Sequence, residues 1–204
     1  MDPRRHWDSV YRTKQPTEVS WYRPHLDLSL QLIEEAAPSR EARIIDIGAG
    51  ESTLVDDLIA IGYHNLDALD LSSTALEVAR QRLGADAARV KWICGDATTH
   101  AFEPHCYDVW HDRAVFHFLT DPDDRIAYVR QVARAVKPGG HVIVATFGPE
   151  GPQKCSGLDV VRYDAPTLHR EFGASFTLVR HLTELHRTPA GAIQQFTYCY
   201  CNVA

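Results

Sequence analysis

Residues 42–62 constrain the fold more than any other stretch of this chain. "ARIIDIG" (42–48) is a short apolar run that reads as a buried strand and ends in the turn Gly48-Ala49-Gly50. "STLVDDLIAIG" (52–62) then carries apolar residues at helical spacing and stops at Gly62. A buried strand feeding a helix through a tight turn is the first half of a βαβ unit, and a parallel partner strand must follow.

The rest of the chain supplies it. "NLDALDLS" (65–72) reads as a strand, and "SSTALEVARQRLG" (72–84) as a helix with a Ser cap and a terminal Gly. "RVKWICGDA" (89–97) is a third strand, and "YDVWHDRAVFHFL" (107–119) begins as a fourth. "DPDDRIAYVRQVARAVKPGG" (121–140) reads as a long amphipathic helix closed by Pro138-Gly139-Gly140, and "HVIVATFG" (141–148) as a fifth strand. Strands alternating with helices predict an α/β fold, a doubly wound Rossmann-like sheet, mostly parallel, with helices on both faces. Two more strand-like runs, 175–186 and 192–203, are joined by "RTPAG". This C-terminal hairpin completes a seven-stranded sheet with an antiparallel strand at one end. Residues 1–40 read as helices, one of them at 26–37, and a lid-like loop. The whole of 1–204 is expected to form a single domain.

The composition is that of an ordinary globular chain, 45% hydrophobic and 24% charged. A net charge of −6 without any basic block argues against a nucleic-acid partner. No apolar stretch is long enough to span a membrane, and the N-terminus has no secretory apolar region. Five cysteines without a C-x-x-C fit a cytoplasmic compartment, and no metal-like spacing occurs.

The glycine turn sits where a doubly wound sheet binds ligands, at the carboxyl ends of its strands. The position three places beyond Gly50 is Thr53, where a dinucleotide fingerprint wants Gly or Ala. Asp46, under the turn, would repel a pyrophosphate and attract an ammonium group. Asp70 lies 20 residues beyond Gly50, the spacing of a ribose-binding carboxylate. Asp96, in "CGDA", is placed to accept from an adenine amino group. Ammonium, ribose and adenine without phosphate describe S-adenosyl-L-methionine. Each acid also has a plain structural reading: a helix cap for Asp46 or Asp70, and an Asx-turn with Thr98 for Asp96.

Together these residues resemble the class I S-adenosylmethionine-dependent methyltransferases, strongly over 42–148. Asp46-Ile47-Gly48-Ala49-Gly50-Glu51-Ser52 keeps the family's acid-x-G-x-G-x-G pattern except the last glycine, which is replaced by a Ser able to cap the next helix. The start of the chain and "DVWHDRAVFHF" resemble the small stand-alone methyltransferases of the type 11/12 group. The resemblance implies that Asp46, Gly48, Ala49 and Gly50 hold the methionine part, Asp70 the ribose, and Asp96 with Ala97 the adenine, with Leu71 also among the cofactor-binding residues. Trp7, Tyr11, Trp21 and Tyr22 are expected to cover the donor, with Trp21 among the cofactor-binding residues.

The tip of the fourth strand should face the acceptor. His111 and Asp112 are the candidate catalytic residues there, against the plainer readings of an interior histidine and an aspartate that pairs with Arg113 or caps the next element. The long loop 148–163, with Lys154, Cys155, Arg162 and Tyr163, is expected at the same end. Amino-methylating enzymes for adenine or glutamine carry an Asn/Asp-Pro-Pro-aromatic motif here, and this chain has none. The expectation is therefore a cytoplasmic methyltransferase with a small-molecule acceptor. A protein lysine is the second choice. A thiol or metalloid acceptor, a nicotinamide-dependent oxidoreductase and a non-catalytic S-adenosylmethionine sensor stand behind it.

Overall fold

The computed structural model describes residues 2–204. Helix α1 (Pro3–Thr13) starts on Asp2, whose carboxylate accepts from the Arg4 amide, and a short turn at Pro16–Glu18 leads to α2 (Asp27–Ala36). The core then alternates: β1 (Arg43–Ile47), α3 (Leu54–Ala60), β2 (Asn65–Asp70), α4 (Ser73–Leu83), β3 (Val90–Cys94), β4 (Tyr107–Arg113), α5 (Pro122–Ala135) and β5 (Val136–Phe147). A small hairpin of β6 (Lys154–Cys155) and β7 (Leu158–Asp159), helix α6 (Ala165–Phe172), β8 (Phe176–Arg187) and β9 (Ile193–Val203) complete the chain.

Seven strands form one sheet in the order β3-β2-β1-β4-β5-β9-β8. β1 to β5 pair in parallel, and β9 alone runs antiparallel to its neighbours β5 and β8. The strand order reverses between β1 and β4, which opens a crevice at their carboxyl ends. The expected sheet is present. Its single antiparallel strand is inserted one position inside the edge, and β8 forms the edge.

Three boundaries differ from expectation. Helix α5 ends at Ala135, short of the Pro-Gly-Gly, and β5 runs through that segment. Lys137 precedes a proline, which disfavours helical backbone, and Val136 already pairs with Tyr107. Helix α3 is shorter than 52–62, with the Ser52 hydroxyl accepting from the Leu54 amide. Loop 148–163 carries the β6–β7 hairpin, and Arg162 ties its ends by donating to the Pro149 and Gly151 carbonyls.

The period-2 alternation of strands sorts side chains to two cores. Ile45 and Ile47 of β1 face α5 and α6 with Trp110, Val142 and Val144, while Ile44 faces α2 and α3 with Val109 and Ile143. Each such fully buried side chain contributes about 1.5–3 kcal/mol. Asp46 shares the parity of Ile44 and is carried to the α2 face in register with His111 of β4.

Candidate functional site

The turn after β1 needs glycine at two places. Gly48 has φ +66°, and a Cβ there would stand 2.0 Å from Val115 Cγ2. Gly50 has φ +50°, and a Cβ there would stand 2.6 Å from the Tyr11 hydroxyl. The turn is pinned to β2: the Ala49 amide donates to the Leu69 carbonyl, and the Gly50 amide to Asp70 Oδ2 at 2.9 Å.

Asp70 is buried and also accepts from the Ser72 amide at 2.7 Å. Burial pushes its carboxyl up to about 6 despite these two bonds. The cap of α4 is Ser72, whose hydroxyl accepts from the Ala75 amide, so Asp70 is not spent on capping. Asp96 Oδ1 accepts from the Thr98 amide and hydroxyl, the Asx-turn of the plainer reading, and the residue still lines the large cavity described below.

Neighbours on β4 diverge because a strand alternates. His111 faces α2, where its Nδ1 lies 2.7 Å from Asp46 Oδ1 and its Nε2 2.9 Å from Ser29 Oγ. Asp112 faces α5. Its carboxylate accepts from the Val115 and Phe116 amides and from the Tyr128 hydroxyl, and it lines neither cavity. The pleat turns Asp112 into the opposite core, where burial raises its carboxyl to about 6. His111, the other candidate on this strand, stands on the α2 side. Both ring nitrogens are engaged by the protein, and the ring lines only the small cavity. Nor does Asp112 pair with Arg113, which instead reaches Glu184 of β8 at 3.2 Å.

Two cavities meet at the crevice, sharing Tyr11, Trp21, Gly48 and Arg113 as walls. The smaller, about 50 Å³, is lined by Asp46, Gly48–Ser52, His111, Arg23 and Tyr22. The larger, about 410 Å³, is lined by Asp70, Leu71, Asp96 and Ala97 at one end and by Trp7, Phe118, Cys155 and Leu158 at the other.

Sequence reasoning passed over three residues of the small cavity. Glu51 Oε2 is buried with no hydrogen-bond partner, and burial, reinforced by Asp70, raises its carboxyl to about 7 against the pull of Arg82. Its place inside the glycine turn was the available signal. Arg23 and Arg113 both contact Glu184, at 2.6 and 3.2 Å. Their pairing across more than 70 residues left no local trace.

The N-terminal segment roofs the large cavity. Trp7 packs edge-on against Trp21 and Phe118, with ring centroids 5.8 and 5.1 Å apart. Asp8 accepts from the Ser72 hydroxyl at 2.6 Å, docking α1 on α4. Of the loop residues expected here, Cys155 reaches the cavity, and its thiol is pushed up to about 11 by burial. Lys154 pairs with Asp159, and Tyr163 is buried in the α6 core. His117 is interior and accepts from the Phe147 amide. All five cysteines are free, and no group of three or more metal-ligating side chains occurs among the described residues. Nor is any helix among them long and apolar enough to cross a membrane.

Residues 44–140 match the methyltransferase domain family. The chain is 30% identical over 150 residues to a demethylmenaquinone methyltransferase of Clavibacter sepedonicus, covering 72% of this chain and 59% of that one. It spans between about a fifth and three-fifths of the length of the curated relatives first matched. An S-adenosylmethionine-dependent methyltransferase of Methanosarcina mazei superposes with a TM-score of 0.71 at 15% identity, covering 84% of this chain and 96% of that one. The 1,6-didemethyltoxoflavin-N1-methyltransferase of Burkholderia thailandensis, solved with its acceptor and S-adenosylhomocysteine, gives 0.67 at 19% identity, covering 87% and 77%. Over its core the chain is thus similar to the class I S-adenosylmethionine-dependent methyltransferases, whose fold it shares.

Proposed function

We propose that this chain moves a methyl group from S-adenosylmethionine to a small-molecule acceptor. The observation that carries the reading is the joined pair of cavities, one charged and closed by a glycine turn, the other aromatic. The residues suit the donor. Gly48 and Gly50 let Val115 and Tyr11 close tightly on the turn, and Glu51 carries a buried carboxylate oxygen without a partner. Asp46 and Glu51 would take the ammonium group, Arg23 and Arg113 the carboxylate, Asp70 and Leu71 the ribose, and Asp96 and Ala97 the adenine.

When bound, the donor supplies an activated methyl group on a sulfonium. What remains for the protein is to hold the acceptor in line and exclude water. Trp7, Trp21, Phe118 and Leu158 provide an apolar wall for that. A group that arrives with a free lone pair needs no base, in keeping with a large cavity whose walls include no histidine. The buried thiol of Cys155, held neutral, weakens the metalloid and thiol readings. A protein lysine is the second acceptor class, favoured by exposed Asp124 at the large cavity.

Calorimetry with S-adenosylhomocysteine and with a nicotinamide cofactor tests the donor, with binding of the first alone expected. Release of S-adenosylhomocysteine during turnover with panels of small acceptors and lysine peptides tests the acceptor. Turnover on lysine peptides only would overturn the small-molecule assignment. Donor binding with no turnover on any acceptor would favour the sensor.

A further inference from the structure

Helix α2 presents Ser29, Leu32 and Ile33 toward the sheet, and all three are buried, as is Leu26 just before it. A serine in that apolar stripe, with none of its surface exposed, needs a partner. It has two. Ser29 Oγ lies 2.9 Å from His111 Nε2 and 3.3 Å from the Tyr198 hydroxyl. His111 Nδ1 lies 2.7 Å from Asp46 Oδ1, and Arg113 Nε donates to Tyr198 Oη at 3.1 Å. Donors and acceptors then order themselves. An ionised carboxylate only accepts, so Nδ1 of His111 carries a proton toward Asp46. With its own oxygen filled by Arg113, the Tyr198 hydroxyl turns its hydrogen toward Ser29 or Glu184. Either way Ser29 Oγ meets both Nε2 and the tyrosine hydroxyl, so the His111 ring is held at both nitrogens.

We propose that Ser29 and Tyr198 are positioning residues that fix the His111 ring, so that the ring in turn holds the Asp46 carboxylate in place for the donor's ammonium group. The inference rests on the donor reading above. Without the serine hydroxyl, Nε2 faces a cavity with nothing to donate to it. The ring is then free to rotate and break its bond to Asp46. That loss weakens the hold on an ammonium and leaves the grip on ribose and adenine, made by Asp70 and Asp96, untouched.

The test compares two ligands in the full chain. S-adenosylhomocysteine carries the ammonium, and 5′-methylthioadenosine lacks the amino-acid part. Ser29→Ala should lower affinity for the first about tenfold and leave the second within about twofold. Tyr198→Phe should shift in the same direction by less, and Ser29→Thr, which keeps the hydroxyl, should restore binding. Nitrogen-15 spectra of labelled histidine should show a shifted His111 Nδ1 signal in Ser29→Ala, the mark of a ring displaced from Asp46. Equal losses for both ligands, or an unchanged His111 signal, would overturn the proposal. Failure of the wild type to bind S-adenosylhomocysteine would instead overturn the donor reading.

Discussion

The small cavity is walled by two carboxylates and two guanidiniums, Asp46, Glu51, Arg23 and Arg113. The large one is walled at its far end by Trp7, Trp21, Phe118, Val115 and Leu158. One surface is written in charge and backbone geometry, the other in shape. Under the proposed function the difference follows from what each must recognise. A zwitterionic fragment is fixed by paired opposite charges in a place with little water. An acceptor that must only stand in line with a methyl group can be fixed by apolar contact.

The largest effect should come from the seam between the two. Gly48→Ala adds a Cβ that would stand 2.0 Å from Val115 Cγ2, on a backbone with φ +66°. Overpacking and left-handed strain together should cost about 2–5 kcal/mol, and the displaced Val115 should reduce donor affinity by about 100-fold or more. Gly84 is the control, with φ +57° and nothing within 4 Å of an added Cβ. Gly84→Ala should cost about 1–2 kcal/mol and leave binding alone. Denaturant melts and calorimetry on both variants separate strain from site damage.

Next in size is Asp70→Ala. Losing the carboxylate frees the Gly50 amide and leaves ribose hydroxyls unpaired, with a loss of about 10- to 100-fold. S-adenosylhomocysteine and 5′-methylthioadenosine should suffer alike, because both carry the ribose. A loss confined to S-adenosylhomocysteine would break the division of labour between the cavities.

Glu51 should then give the small cavity a pH dependence of its own. Its carboxyl is raised to about 7, so at that pH half the free sites are protonated. An ammonium ligand favours the ionised form, so binding releases protons. Affinity is full above pH 7 and falls as pH drops through 7, by up to about tenfold per unit. Between pH 8 and 6.5 the dependence should be present for S-adenosylhomocysteine and absent for 5′-methylthioadenosine. Glu51→Gln should flatten it. Asp70, raised to about 6, enters only at lower pH, where both ligands feel it.

The division between the cavities also marks what the sequence could disclose. The glycine turn, Asp70 and Asp96 lie at fixed offsets from predicted strands, and one strand with its turn announces them. The parallel core was legible for the same reason, since each strand and helix declares its own periodicity. Arg23, Arg113 and Glu184 meet only after β8 is laid at the sheet edge, so no local pattern joins them. The faces of β4 were hidden too. Residues 110–113 are all buried, and a strand buried on both sides has no polar alternation to reveal which side chain looks where.

That ambiguity makes Asp112 the subtlest test. It sits one residue from His111 and touches neither cavity. Its oxygens tie down the Val115 and Phe116 amides and accept from Tyr128, which in turn accepts from Trp110 at 2.9 Å. In Asp112→Asn the amide nitrogen cannot accept, so one of these donors is left unpaired in a dry core, at about 1–3 kcal/mol. The cost has a pH signature. A carboxyl raised by burial to about 6 binds a proton in the folded chain that it lacks in the unfolded one between about pH 4 and 6. Wild-type stability therefore loses a contribution as pH rises across that window, and the asparagine variant loses less, keeping the share that Asp70 makes. Affinity for S-adenosylhomocysteine should stay within about twofold of wild type, and turnover with it, because the residue acts on the frame and not on the ligand. A fall in turnover of about 100-fold at unchanged stability would return Asp112 to the acceptor side and contradict the separation of the two faces of β4.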